Sequence, residues 1–102
     1  MSKAKIKIIY CTQCRWLLRS AWMSQELLTT FQDDIEEVAL SPGSGGIFEV
    51  IINGKTVWTF KEKRRFPEIK ELKQIVRDHI APEKNLGHSD KKDEMPGESC
   101  PL

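Results

Sequence analysis

Apolar and charged side chains alternate along residues 4–10, AKIKIIY, so that Ile6 and Ile8 fall on one side and Lys5 and Lys7 on the other. The run turns wholly apolar at Ile8-Ile9-Tyr10, which predicts a strand whose C-terminal half is covered on both faces. From Arg15 to Phe31 the period lengthens to that of a helix. Leu17, Ala21, Leu28 and Phe31 recur at helical intervals, and Trp16, Met23 and Leu27 form a second apolar set on another side. A helix apolar over more than one stripe is either deeply buried or meets a partner. IEEVAL at 35–40, bounded by Asp33-Asp34 and by SPGSGG, predicts a second strand. The first 40 residues then form a β-α-β unit, with parallel pairing and a right-handed crossover.

The clearest local signal is IFEVII-NG-KTVWTF, a hairpin, because Asn53-Gly54 takes the positive φ angles of a two-residue turn. Plain pairing across it sets Val50 opposite Val57 and Glu49 opposite Trp58. One face then carries Phe48, Val50, Ile52 and Val57, and the other Ile47, Ile51, Trp58 and Phe60. FPEIKELKQIVRDHIAP predicts a second helix, with Pro67 and Glu68 in its first turn, a stripe of Ile69, Leu72, Val76 and Ile80, and Pro82 as its stop. Residues 83–102 are polar and aperiodic and read as a mobile tail to a single domain spanning 1–82.

The element order β-α-β-β-β-α defines an α/β (α+β) chain with a mixed sheet and both helices on one side, an architecture similar to thioredoxin. The other sheet face has no helix of its own. Apolar hairpin side chains pointing there would be exposed, so a homodimer or a protein partner is expected on that helix-free face.

Composition narrows the function classes. Of 102 residues 39% are apolar and 30% charged, which is globular rather than disordered. Lys and Arg number 16 against 15 Asp and Glu, and that balance argues against nucleic-acid binding. The basic run KEKRR at 61–65 reads as a solvated loop. No apolar run approaches the ~20 residues of a membrane helix. No cleavage signal follows the first strand, so a cytoplasmic location is expected. Three cysteines, an odd number, do not suggest a disulfide scaffold.

The chemistry concentrates at Cys11 and Cys14, a CxxC at the junction of the first strand and first helix, where helix-start amides can favour a thiolate. Three readings stand: a redox dithiol, half of a zinc site, or two buried cysteines acting as small hydrophobes. Zinc would need ligands from His79, His88 and Cys100, without the second close pair usual in structural sites. His79 is equally explained as a polar flank position, and Cys100 as an incidental surface thiol. The redox reading carries most weight, and no bound metal or cofactor is expected. In it one cysteine attacks a disulfide and the other resolves the mixed disulfide. The glycine-rich loop before the hairpin could let another backbone approach the sulfurs. Ser44, Gly45 and Gly46, with Thr12 and Gln13 between the cysteines, are therefore candidate docking residues, although a plain connector explains the loop as well. A second function is a non-catalytic interaction module whose dithiol senses redox state.

IIYCTQCRW at the first junction, GGIFEVIINGKTVW across the hairpin, and FPEIKELKQIVRD followed by LGHSD resemble the bacterial selenoprotein W-related proteins, from about Lys5 to Asp90. These belong to the wider selenoprotein W, T and H group. The resemblance implies a thioredoxin-like βαβββα fold and a thiol-redox role, with glutathione as a candidate redox partner. Two departures matter. Selenium-containing members carry selenocysteine at the position of Cys14, and here both atoms are sulfur, which implies slower peroxide chemistry. Thioredoxins place a cis-proline before the third strand, whereas Pro42 here is too early. The resemblance puts the reactive atom at Cys14 and helix-start geometry puts it at Cys11. The balance falls to Cys14 as attacker and Cys11 as resolver.

Overall fold

The computed structural model describes residues 3–84 and residue 86. Seven elements follow in order: β1 (Ala4–Cys11), α1 (Leu17–Thr30), β2 (Ile35–Gly43), β3 (Phe48–Ile52), β4 (Lys55–Thr59), α2 (Phe60–Lys63) and α3 (Ile69–Ile80). They form one mixed sheet in the order β2-β1-β3-β4, with β1 parallel to β2 and antiparallel to β3. The expected mixed α/β fold, similar to thioredoxin, is therefore what the chain adopts, with α2 as an added single turn. β1 lies inside the sheet between β2 and β3, with Ile6 and Ile8 fully buried on its helix side.

That side holds the core. Ile6, Ile8, Phe48, Val50, Ile52 and Trp58 from the sheet meet Met23, Leu27 and Phe31 from the α1 region and Leu72 and Val76 from α3. Each such buried apolar side chain contributes about 1.5–3 kcal/mol. Lys73 Nζ, 2.9 Å from Glu26 Oε1, ties α3 to α1.

Three local readings change. First, the buried face of α1 is Ser20, Met23, Ser24 and Leu27, while Leu17, Leu18, Trp22 and Leu28 are exposed. Two serines occupy the middle of the buried face, and Ser24 Oγ donates to Ser20 O at 2.9 Å. Apolarity alone therefore misplaces its centre. Second, a bulge between Val50 and Ile51 shifts the hairpin, so Val50 pairs with Trp58 and Glu49 with Thr59. The inserted residue turns Trp58 into the core, where it is 3% exposed. The Asn53-Gly54 turn forms as expected, with φ values of 50° and 86°. Third, part of the KEKRR run folds into α2, capped by Thr59, whose hydroxyl accepts from the Glu62 N–H at 3.1 Å. Helix α3 begins one residue after Glu68, which caps it reciprocally with Glu71, so Pro67 stands just before the cap.

The sheet face without helices carries Lys5, Lys7, Glu37 and Glu49 beside half-buried Ile9 and Ile51. The large exposed apolar side chains among the described residues lie on α1 instead. Of the expected tail, Lys84 reaches Asp34 at 3.5 Å and Leu86 packs on the core. His88, Cys100 and all of LGHSD except Leu86 lie outside the described residues.

Candidate functional site

β1 delivers Cys11 at its last residue, paired with Gly43 at the end of β2. The chain then turns through Thr12–Arg15 before α1 begins at Leu17. The Arg15 N–H donates to Thr12 O at 3.0 Å and the Trp16 N–H to Cys11 O at 3.3 Å, closing the turn on itself. Arg15 adopts a left-handed φ of 62°, which stops a helical run from starting at Cys11. The expectation of a sulfur at the helix N-terminus is thus corrected: the CxxC sits in a turn that precedes the helix.

Turn and loop amides take the place of the helix start. Cys14 Sγ donates to Cys11 Sγ, with the sulfurs 2.6 Å apart as free thiols. The Gly46 N–H donates to Cys11 Sγ at 3.3 Å. Hydrogen bonding from Cys14, then from the amides of Gly46, Cys14 and Gln13, holds the Cys11 thiol below its ordinary range against the opposing effect of burial. Cys14 moves the opposite way, because its proton is committed to Cys11, burial disfavours its anion and the Cys11 charge repels a second one. Access is also split: Cys11 is buried at 1% exposure, whereas Cys14 is half-buried. The sulfur whose thiol is lowered is thus the buried one, and the sulfur whose thiol is raised is the one solvent reaches.

The second wall is the SPGSGG segment. β2 extends through Gly43, whose carbonyl accepts from the Thr12 N–H at 3.1 Å and from Thr12 Oγ1 at 3.3 Å. A Cβ at Gly43 would lie 2.7 Å from Ile47 Cγ2 and 3.1 Å from Ile9 Cγ2, so any larger residue here would have to displace those side chains. Gly45 and Gly46 take φ values of 72° and 75° and bend the chain so that the Gly46 N–H faces the sulfur. Of the residues expected near the dithiol, Thr12, Gly46 and the Gln13 amide come to it. Ser44 and Gly45 lie exposed in the same bend, and the Gln13 side chain is exposed. Gly43 was missed, although its place within SPGSGG was the available signal. Trp16 was missed as a site anchor. Its ring meets Phe60 at 5.1 Å and Phe66 at 4.9 Å, pinning the exit of the turn.

His79 is exposed, and its Nδ1–H donates to Ile75 O at 2.9 Å. No group of three His, Cys, Asp or Glu side chains placed to hold a metal ion occurs among the described residues. No helix among them is long and apolar enough to cross a membrane.

A mixed sheet with two adjacent cysteines at the end of its first strand defines a thioredoxin-like protein. The model of the Rdx family matches residues 5–78, and the chain belongs to that family. Among solved structures, the chain is 58% identical to a selenoprotein W-related protein from Vibrio cholerae, covering 76% of this chain and 98% of that one, with a TM-score of 0.75. A protein from Bordetella parapertussis is 56% identical over 76% of this chain and 99% of that one, also with a TM-score of 0.75. No curated protein matches the chain.

Proposed function

We propose that this is a small cytoplasmic thiol-redox protein that exchanges its Cys11/Cys14 dithiol with disulfides, glutathione disulfide among them. The observation that carries the reading is the split between the sulfurs: Cys11 is held toward thiolate by turn and loop amides, and Cys14 is the sulfur solvent reaches. Membership of the Rdx family supports it.

Cys14 Sγ attacks one sulfur of the substrate disulfide while its proton passes to Cys11 Sγ. An S–S bond to Cys14 forms, and the first substrate thiolate leaves and takes up that proton. The Cys11 thiolate, again charged, attacks Cys14 Sγ, closes the Cys11–Cys14 bond and expels the second thiolate. The dithiol loses two electrons, and the two product thiols gain one proton from Cys14 and one from solvent. Two glutathione thiols return the electrons and become glutathione disulfide.

The test is trapping. Each reduced single variant is mixed with glutathione disulfide and weighed by mass spectrometry. Cys11→Ser should retain glutathione on Cys14, since no resolving thiolate remains, and Cys14→Ser should react far more slowly. A stable adduct only on Cys11 in Cys14→Ser would reverse the two roles. Inertness of both, with both thiols reactive once the chain is unfolded, would make the pair structural.

A further inference from the structure

Opposite its buried line, α1 presents Leu18, 82% exposed, and Trp22, 46% exposed, one turn apart on the same side. Together with Arg15, Trp16 and Arg19 they line an open cleft of about 460 Å³. Its first lining residue, Arg15, follows Cys14 directly in the chain. Its charge has one sign. The first turn of α1 holds no acidic residue, and Glu26, further along, is occupied by Lys73. The Arg19 guanidinium lies 4.5 Å from the centre of the Phe66 ring, and neither arginine meets a carboxylate among the described residues. An exposed leucine and tryptophan beside two unneutralised cations leave apolar surface and positive potential at one place.

We propose that this cleft docks an acidic, apolar segment of a client protein and so selects which protein disulfides reach Cys14; the proposal rests on the dithiol-exchange reading above. Charge decides against the other occupants. A second copy packed two-fold on the same face would bring Arg15 and Arg19 of one chain against those of the other. Glutathione could offer its carboxylates to the arginines, but it has no apolar side chain to cover Leu18 and Trp22. A client segment with Asp or Glu beside Leu or Phe meets both features.

The experiment uses the full chain, reduced, and short synthetic peptides with one cysteine held as a mixed disulfide with a chromophoric thiol. Its flanks are acidic and apolar, basic and apolar, or acidic and polar, and glutathione disulfide is the reference. The acidic apolar peptide should exchange at least about ten-fold faster than either other peptide at low ionic strength, with the charge preference fading at high salt. Arg19→Glu should reverse the preference between acidic and basic flanks. Leu18→Ser, a four-fifths exposed position that the core does not need, should erase the preference for apolar flanks. Equal rates for all three peptides would overturn the proposal, as would a preference that survives both variants. So would a wild-type dimer that Leu18→Ser dissociates, because a second copy would then own the face. If the wild type exchanges with nothing, glutathione disulfide included, the dithiol reading fails. Docking is then read from tryptophan fluorescence with the serine forms of the same peptides. Tighter binding of the acidic apolar form sustains it, and equal or no binding overturns it.

Discussion

Gly46 donates its backbone N–H to Cys11 Sγ at 3.3 Å, across 35 residues of chain. The bond joins the glycine bend before β3 to the sulfur at the end of β1, so the loop's conformation is one of the things that lower the Cys11 thiol. A main-chain donor cannot swing away as a side chain can. It is aimed only while Gly46 keeps its φ of 75°.

Two glycine substitutions should therefore fail differently. In Gly46→Ala the added methyl meets nothing within 4 Å, but the left-handed backbone costs an L-residue about 1–2 kcal/mol. The loop should shift and the Cys11 thiol should rise toward ordinary values. In Gly43→Ala the methyl meets the side chains of Ile47 and Ile9, which must give way, at a cost of roughly 1–3 kcal/mol. Denaturant unfolding with thiolate absorbance on the same samples separates the two.

The paired sulfurs should titrate against each other. Cys14→Ala removes the main donor to Cys11, so the remaining thiol should move up. Cys11→Ala removes the acceptor and the neighbouring charge, so the Cys14 thiol should come down. Thiolate absorbance against pH checks both, and shifts of the same sign in the two variants would contradict the assignment.

Acid stability should depend on Glu71, whose carboxylate meets Arg65 Nη1 and Nη2 at 2.9 and 3.0 Å. The hydrogen bonds from Arg65 hold Glu71 below its usual 4.5. A depressed folded value means the contribution is present above about pH 4.5 and is lost as pH falls through the folded value. Both partners are partly exposed, so solvent screening keeps the pair's contribution small. Glu71→Gln should lower neutral stability by that small amount and flatten the acid limb of a stability–pH curve.

Arg64 closes α2 with a φ of 60°, a conformation that glycine holds without strain. Arg64→Gly should stabilise the fold by up to about 1 kcal/mol, net of the greater freedom glycine gives the unfolded chain. A rise in the thermal midpoint checks it.

How much of this was legible depends on the kind of signal. β1, the Asn53-Gly54 turn and the Ile69–Ile80 stripe declare themselves because each is a repeating pattern read out locally. Helix α1 was legible, and Met23 and Leu27 of its second apolar set are buried, but Ser20 and Ser24 share that face while Leu17 and Leu28 of the first set are exposed. The bulge that carries Trp58 into the core has no sequence mark, since Val57 and Trp58 fit either face equally well. The cysteine pair was plain from its spacing, and the glycine-rich loop before the hairpin from its composition. Their relation was not legible: that Gly46 reaches Cys11, and that Arg15 breaks the helix before it can, depends on backbone dihedral angles and contacts distant in sequence.

On the proposed reading, Cys11 and Cys14 form one reversible two-electron couple. Mass spectrometry of alkylated wild-type protein, equilibrated across a series of glutathione and glutathione disulfide ratios, tests it most directly. A single transition between a dithiol and an internal Cys11–Cys14 disulfide is expected, with glutathione adducts only minor along the way. Two thiols that stay reduced across the series, or that each carry glutathione without ever joining, would contradict it.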